Sequence, residues 1–260
     1  MTFNNLNLDV IYSDDDETGW KRLKERDSKN ITVYFDGIED ALIKYISKAH
    51  TCLGCIAWLT NYNLLDALSE CEIVSIIVNK DDFSKIDVQE VINKNKKEIT
   101  RANLNSKYSQ LPRGVCQSDF SGFGEEISVG ECFGLTYEPD EIFSKMREQT
   151  GISPDKISCN YPWTTEAIRC LGENYDVKNT SSPLLHHKFL IFCHSPLEPY
   201  AVWTGSFNFS FNATRSLENG LYITDECIVK AYWLEYLFNF VRSEPLDWTD
   251  KYQYGLEINS

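Results

Sequence analysis

Three short apolar runs, Ile31–Phe35, Cys52–Leu59 and Ile73–Val78, alternate with two stretches of helical period. That alternation constrains the fold more than any other feature of the chain. Ile31-Thr-Val-Tyr-Phe35 is rich in β-branched and aromatic residues and stops at Asp36-Gly37, as a strand does. From Ile38 to Ala49 the apolar residues Ile38, Ala41, Leu42, Tyr45, Ile46 and Ala49 recur at three and four, which predicts a helix. Cys52–Leu59 is apolar throughout, as expected of a strand buried on both faces. A short helix through Leu68, capped by Asn61 or Asn63, leads to a third strand over Ile73–Val78. Strand, helix, strand, helix, strand in this order predicts an α/β fold with a mixed, largely parallel β-sheet and helices on both faces.

The second half repeats the strand pattern at Leu184–Phe192, Tyr200–Thr204 and Asn219–Ile223. A helix over Asp225–Val241 follows, with Ile228, Ala231, Tyr232, Leu234, Glu235, Leu237 and Phe238 mostly apolar on one face. Helices are also expected over Pro139–Gln149 and over Trp163–Leu171, the latter capped by Thr164 or Thr165 and stopped by Gly172. Residues 1–30 form a polar arm, and 31–260 form one domain interrupted by an insertion at about 93–162. Within the insertion, residues 93–113 carry Lys94, Lys96, Lys97, Arg101, Lys107 and Arg113 against Glu98 alone. Two readings are open for that segment: a solvated helix face and loop, or a surface that meets a phosphate backbone.

A formal net charge of −14 opposes bulk attraction to nucleic acid or anionic membrane, but leaves room for a local basic patch. No run reaches the roughly 20 apolar residues of a membrane span, and Met1-Thr-Phe-Asn-Asn has no secretory pattern. A cytoplasmic protein without stable membrane association is expected. The nine cysteines mostly lie in apolar runs and read as buried hydrophobes. Cys52-Leu-Gly-Cys55 after His50 has half the look of a metal site, yet on a strand the two thiols would face opposite ways. Neither a metal nor another cofactor is expected.

The residues that carry chemistry lie at strand ends. His186 and Lys188 are two apart on a strand and share a face, with His187 on the other. A neutral imidazole can attack phosphorus through one nitrogen, and an ammonium can neutralise a non-bridging oxygen. Gly205 allows close backbone approach, while Ser206 and Asn208 supply neutral donors. Glu218 is either a surface carboxylate or the group that orients His186. Thr204 and Ser210 are further donors nearby, and Arg215 is either a phosphate contact or a surface charge.

His186-x-Lys188 followed by Gly205-Ser206-x-Asn208 resembles the HKD signature of the phospholipase D superfamily. Glu218-Asn219 resembles the small, single-signature nuclease branch, and Val33–Phe35 and Ile56–Trp58 resemble its opening strands more weakly. The signature Asp, five residues after the Lys, falls on Cys193, and a loop containing Ser195–Pro199 lengthens the His-to-Ser gap. In the family that Asp is mainly structural, so the resemblance implies that catalysis survives its loss.

The resemblance implies a metal-independent phosphodiesterase. It further implies a homodimer that pairs two half-sites, a phosphohistidine intermediate on one His186, and its copy in the second chain as acid and base. The expected activity is a nucleic-acid endonuclease, with DNA as the expected substrate and Lys94, Lys96, Lys97, Arg101 and Gly205 helping to bind it. The family association suggests a phage-defence or restriction setting, and the acidic chain leaves room for a partner protein that supplies DNA binding. Two other readings stand beside this one: a phospholipid phosphodiesterase, and a catalytically degenerate nucleic-acid-binding or assembly subunit.

Overall fold

The computed structural model describes residues 24–80, 103–104, 106–115, 165–172, 184–195, 198–240 and 242–246. In chain order these form β1 (Glu25–Asp27), β2 (Ile31–Tyr34), α1 (Ile38–Ile46), β3 (Thr51–Ile56), α2 (Tyr62–Ser69) and β4 (Ile73–Asn79). There follow β5 (Ile168–Leu171), β6 (Lys188–Cys193), β7 (Pro199–Gly205), a 3-10 helix (Phe211–Arg215), β8 (Gly220–Ile223), α3 (Glu226–Phe240) and β9 (Glu244–Pro245). The strands make one nine-stranded sheet in the order β1-β2-β8-β7-β6-β3-β4-β5-β9.

The sheet is mixed, as expected, but it is not largely parallel. Only β3–β4 and β4–β5 pair in parallel, and the other six pairings are antiparallel. The reason lies in the second half of the chain. Strands β6, β7 and β8 run as an antiparallel meander, and β6 docks antiparallel onto β3 at the centre of the sheet. A meander needs only short connections, whereas parallel neighbours need a crossover.

Alternation along the strands divides the core in two. Cys52, Ile56, Val74, Ile76, Leu190, Phe192 and Trp203 join Leu42, Ile46, Leu64 and Leu68 of α1 and α2. Leu53, Cys55, Ile77, Phe189, Ile191 and Val202 join Val229, Trp233, Tyr236 and Phe240 of α3. Cys52 and Cys55 thus lie in opposite clusters, as strand geometry requires, and cannot ligate one ion. Asn61, rather than Asn63, caps α2: its Oδ1 accepts from the Asn63 and Leu64 amides at 2.9 and 3.2 Å. The buried stripe of α3 also differs from expectation, because Ile228 and Phe238 are exposed while Val229, Trp233, Tyr236 and Phe240 pack inward.

The helix expected over Trp163–Leu171 is replaced, in its described part, by β5. Within the insertion, Gly114 N donates to the Thr165 carbonyl, the Val115 carbonyl accepts from Thr165 N and Oγ1, and the Arg113 carbonyl accepts from Val74 N of β4. The tail of the polar arm supplies β1, which pairs with β2 at the sheet edge. Residues 1–23, the helix expected over Pro139–Gln149 and most of 93–162 lie outside the described residues. Among the described residues, no helix is long and apolar enough to cross a membrane.

Candidate active site

The segment entering β6 is pinned on two sides. The Leu185 amide donates to Asn79 Oδ1 at the end of β4 (3.0 Å), and the Ala57 amide donates to the His187 carbonyl (2.8 Å). Strand alternation then divides three consecutive polar residues. His187 turns toward α3, where its Nε2 lies 3.0 Å from Glu235 Oε1. His186 and Lys188 share the other face, and Lys188 Nζ sits 3.2 and 3.3 Å from the two ring nitrogens of His186 while donating to its carbonyl at 3.0 Å. Being nearly equidistant, the ammonium selects neither tautomer. The indole of Trp58 stands against both residues, with ring centroids 5.2 Å from His186 and planes crossing at 84°. Lys188 Nζ lies 5.7 Å from the Trp58 ring centroid.

The loop leaving β7 supplies the other half. Gly205 has φ +147°, and a Cβ there would overlap the Asn219 carbonyl. Glycine lets the Ser206 amide reach both Asn219 O (3.2 Å) and Asn219 Oδ1 (3.1 Å), while Asn219 N donates back to Ser206 Oγ at 3.0 Å. From Ser206 the chain alternates: Phe207 and Phe209 are buried, and Ser206, Asn208 and Ser210, which flank them, are more exposed. The Phe209 carbonyl accepts from Thr60 and Asn61, tying this loop to the one after β3. Among the described residues, Asn208 Oδ1 is buried without a hydrogen-bond partner. Leu190 pairs with Trp203, so carrying that register two residues on sets Lys188 opposite Gly205.

The charge pattern follows from burial. Desolvation pushes the Lys188 pKa below its ordinary value, and the nearby Glu218 carboxylate pulls it partly back. Glu218 Oε2 accepts from Ser206 Oγ at 2.5 Å. The turn between the 3-10 helix and β8 brings Glu218-Asn219 over Ser206, which the linear spacing did not reveal. Thr204 faces α3 and accepts from Tyr232 OH at 3.3 Å, away from His186.

Cys193 occupies the far end of β6, roughly 16 Å along the strand from Lys188 at 3.3 Å per residue. It is fully buried in the α3-side cluster, and burial raises its thiol pKa. Of the basic segment, Lys107 pairs with Asp66 at 2.5 Å, and Arg113 Nη1 donates to the Gly114 carbonyl at 3.1 Å. Lys94, Lys96, Lys97 and Arg101 lie outside the described residues. Among the described residues, no three His, Cys, Asp or Glu side chains are placed to hold a metal ion.

Trp58, Asn79 and Asn219 were not singled out as site residues from the sequence. Trp58 lies 128 positions before His186. Only the β3–β6 pairing joins them, and no local pattern announces that pairing.

No family model matches the chain. It is 33% identical over 236 residues to the Uncharacterized protein L381 of Acanthamoeba polyphaga mimivirus, covering 89% of this chain and 72% of that one. Among solved structures, it is similar to Nuc, a phospholipase D family member from Salmonella typhimurium, with TM-score 0.43 and 14% identity over 82% of this chain and 95% of that one. NucT from Helicobacter pylori gives TM-score 0.43 and 14% identity over 83% of this chain and 98% of that one. Structural likenesses of that size carry no conclusion about chemistry. The sequence relationship does establish kinship: this chain belongs to one family with the mimivirus L381 protein.

Proposed function

We propose that the chain is a phosphodiesterase of the phospholipase D superfamily, acting as a nucleic-acid endonuclease with DNA as its substrate. The observation that carries this reading is that His186 and Lys188 share one face at the start of β6, with Lys188 opposite Gly205 of the Gly205-Ser206-x-Asn208 loop. One imidazole nitrogen of His186 attacks phosphorus, forming an N–P bond as the P–O bond to the leaving group breaks. Lys188 offsets charge on the non-bridging oxygens, the Asn208 side-chain NH2 donates to the phosphate, and Ser206, its hydroxyl held by Glu218, fixes the loop. Water then adds to phosphorus and the N–P bond breaks, freeing the imidazole.

The leaving oxygen needs a proton, and the placement of the other histidines favours a second chain as its source. His187 faces Glu235 on the opposite side of the sheet. His50 and His194 flank the far end of the β3–β6 pair, where His50 N donates to Cys193 O and His194 stacks on Tyr200 at 4.0 Å. His186 of a symmetry-related copy would supply acid and then base. The basic residues of 93–113 are the proposed means of drawing a phosphate backbone to an acidic protein. A phage-defence setting rests on family association alone.

Purified protein incubated with plasmid DNA, RNA and phospholipid, with and without EDTA, tests the reading. Nicking that survives EDTA and disappears in His186→Ala supports it. Turnover of lipid alone replaces the substrate class, and DNA retention without cleavage makes the chain a binding subunit. Light scattering of active protein should report a dimer; an active monomer contradicts the paired half-sites.

A further inference from the structure

We propose that Trp58 is a positioning residue for the reacting imidazole, a role that rests on reading His186 and Lys188 as the catalytic pair. In the β3–β6 register Ile56 pairs with Lys188, and carrying that register two residues on sets Trp58 directly opposite His186. The Ala57 amide bond to the His187 carbonyl shows that the pairing does continue past β3. Cross-strand neighbours on one face are the closest side-chain pairs a sheet makes. Here that pair is an indole and an imidazole at 5.2 Å with planes crossing at 84°, an edge-to-face arrangement that restrains the ring.

Three further observations favour positioning over plain packing. Trp58 is 38% exposed, whereas Cys52 and Ile56 on the same face of β3 are fully buried, so the indole is not needed to fill the core. The backbone on either side of it is held, by Ala57 to His187 and by Thr60 to Phe209, which fixes where the indole projects from. And Lys188, 3.2 and 3.3 Å from the two ring nitrogens of His186, does not by itself select one ring orientation. The same indole offers its ring to the Lys188 ammonium at 5.7 Å, so it sets the spacing of both groups together.

The test uses the full-length protein and its Trp58→Ala and Trp58→Phe variants, with His186→Ala as a separate control. With four histidines in the chain, the His186 ring resonances can be assigned by comparison with His186→Ala. Trp58→Ala should shift and broaden them, and Trp58→Phe should restore most of the wild-type position. Turnover should fall about 10²-fold in kcat for Trp58→Ala with little change in KM, as expected for a misplaced reacting group, and recover largely in Trp58→Phe. Unchanged His186 resonances in Trp58→Ala overturn the proposal, whatever the turnover. A raised KM with kcat intact also overturns it, making Trp58 a substrate-stacking surface instead. If His186→Ala keeps full activity, the reading of the catalytic pair fails, while the resonances still report whether Trp58 holds that ring.

Discussion

Replacing Gly205 by alanine should damage stability and activity together, and Gly37→Ala provides the comparison. Both glycines have positive φ, +147° and +62°, so both substitutions force a side chain into a conformation that L residues rarely adopt. That alone costs about 1–3 kcal/mol. At Gly37 the added Cβ meets nothing within 4 Å, so the backbone term is the whole effect. At Gly205 the Cβ overlaps the Asn219 carbonyl oxygen and lies 2.9 Å from Asn219 Oδ1. These are the two atoms that accept from the Ser206 amide, so relieving the overlap breaks bonds worth about 1 kcal/mol each. Gly205→Ala should therefore lose about 2–5 kcal/mol, a drop in melting temperature on the order of 5–15 °C, and clearly more than Gly37→Ala. Because Ser206 moves with the loop, turnover should fall by about 10²-fold, while Gly37→Ala keeps it. Thermal melts and a nicking assay on the two variants decide the matter. Equal melting temperatures, or full turnover in Gly205→Ala, would refute the link between this glycine, Asn219 and the site.

Cys193→Ala should retain activity and lose about 1–2 kcal/mol from a small cavity, whereas Cys193→Asp buries a carboxylate among apolar side chains and should fail to express as a stable fold. Assays of soluble yield and turnover check both. Lys188 has a lowered pKa, so folding weakens its proton binding and the ammonium is lost below its ordinary 10.5. The alkaline limb of the pH–rate profile should sit below that value and move lower still in Glu218→Gln, which removes the carboxylate that holds the charge on. Arg169 is fully buried, donating to Ser243 and pairing with Glu166 at 2.9 Å. Arg169→Ala should cost about 3–5 kcal/mol by denaturant titration, because it strips a buried network of its cation.

Local signals carried far in this chain, and pairing signals did not. The period-three-and-four runs and the β-branched runs located α1, α2, β2, β3 and β4, and the HxK and GSxN spacings led to two loops that the sheet places side by side. Strand direction was not legible, since whether β6 runs with or against β3 depends on contacts across more than 130 residues. The run Ala167-Ile-Arg-Cys-Leu171 fits a buried strand or a helical turn equally well by periodicity. Arg169 inside it is fully buried, its guanidinium satisfied by Ser243 and Glu166. The Glu218 contact with Ser206 is set by the geometry of a turn, which linear spacing does not show. Trp58 was passed over because an apolar strand end does not reveal which side chain lies across from it.

The central claim is that His186 forms the covalent bond to phosphorus, and trapping that bond tests it most directly. Wild-type protein quenched in alkali during turnover, then digested and measured by mass spectrometry, should show an acid-labile phosphoramidate on the peptide containing His186 and none in His186→Ala. Wild-type cleavage with no adduct at His186, or with an adduct on another residue, would contradict the account.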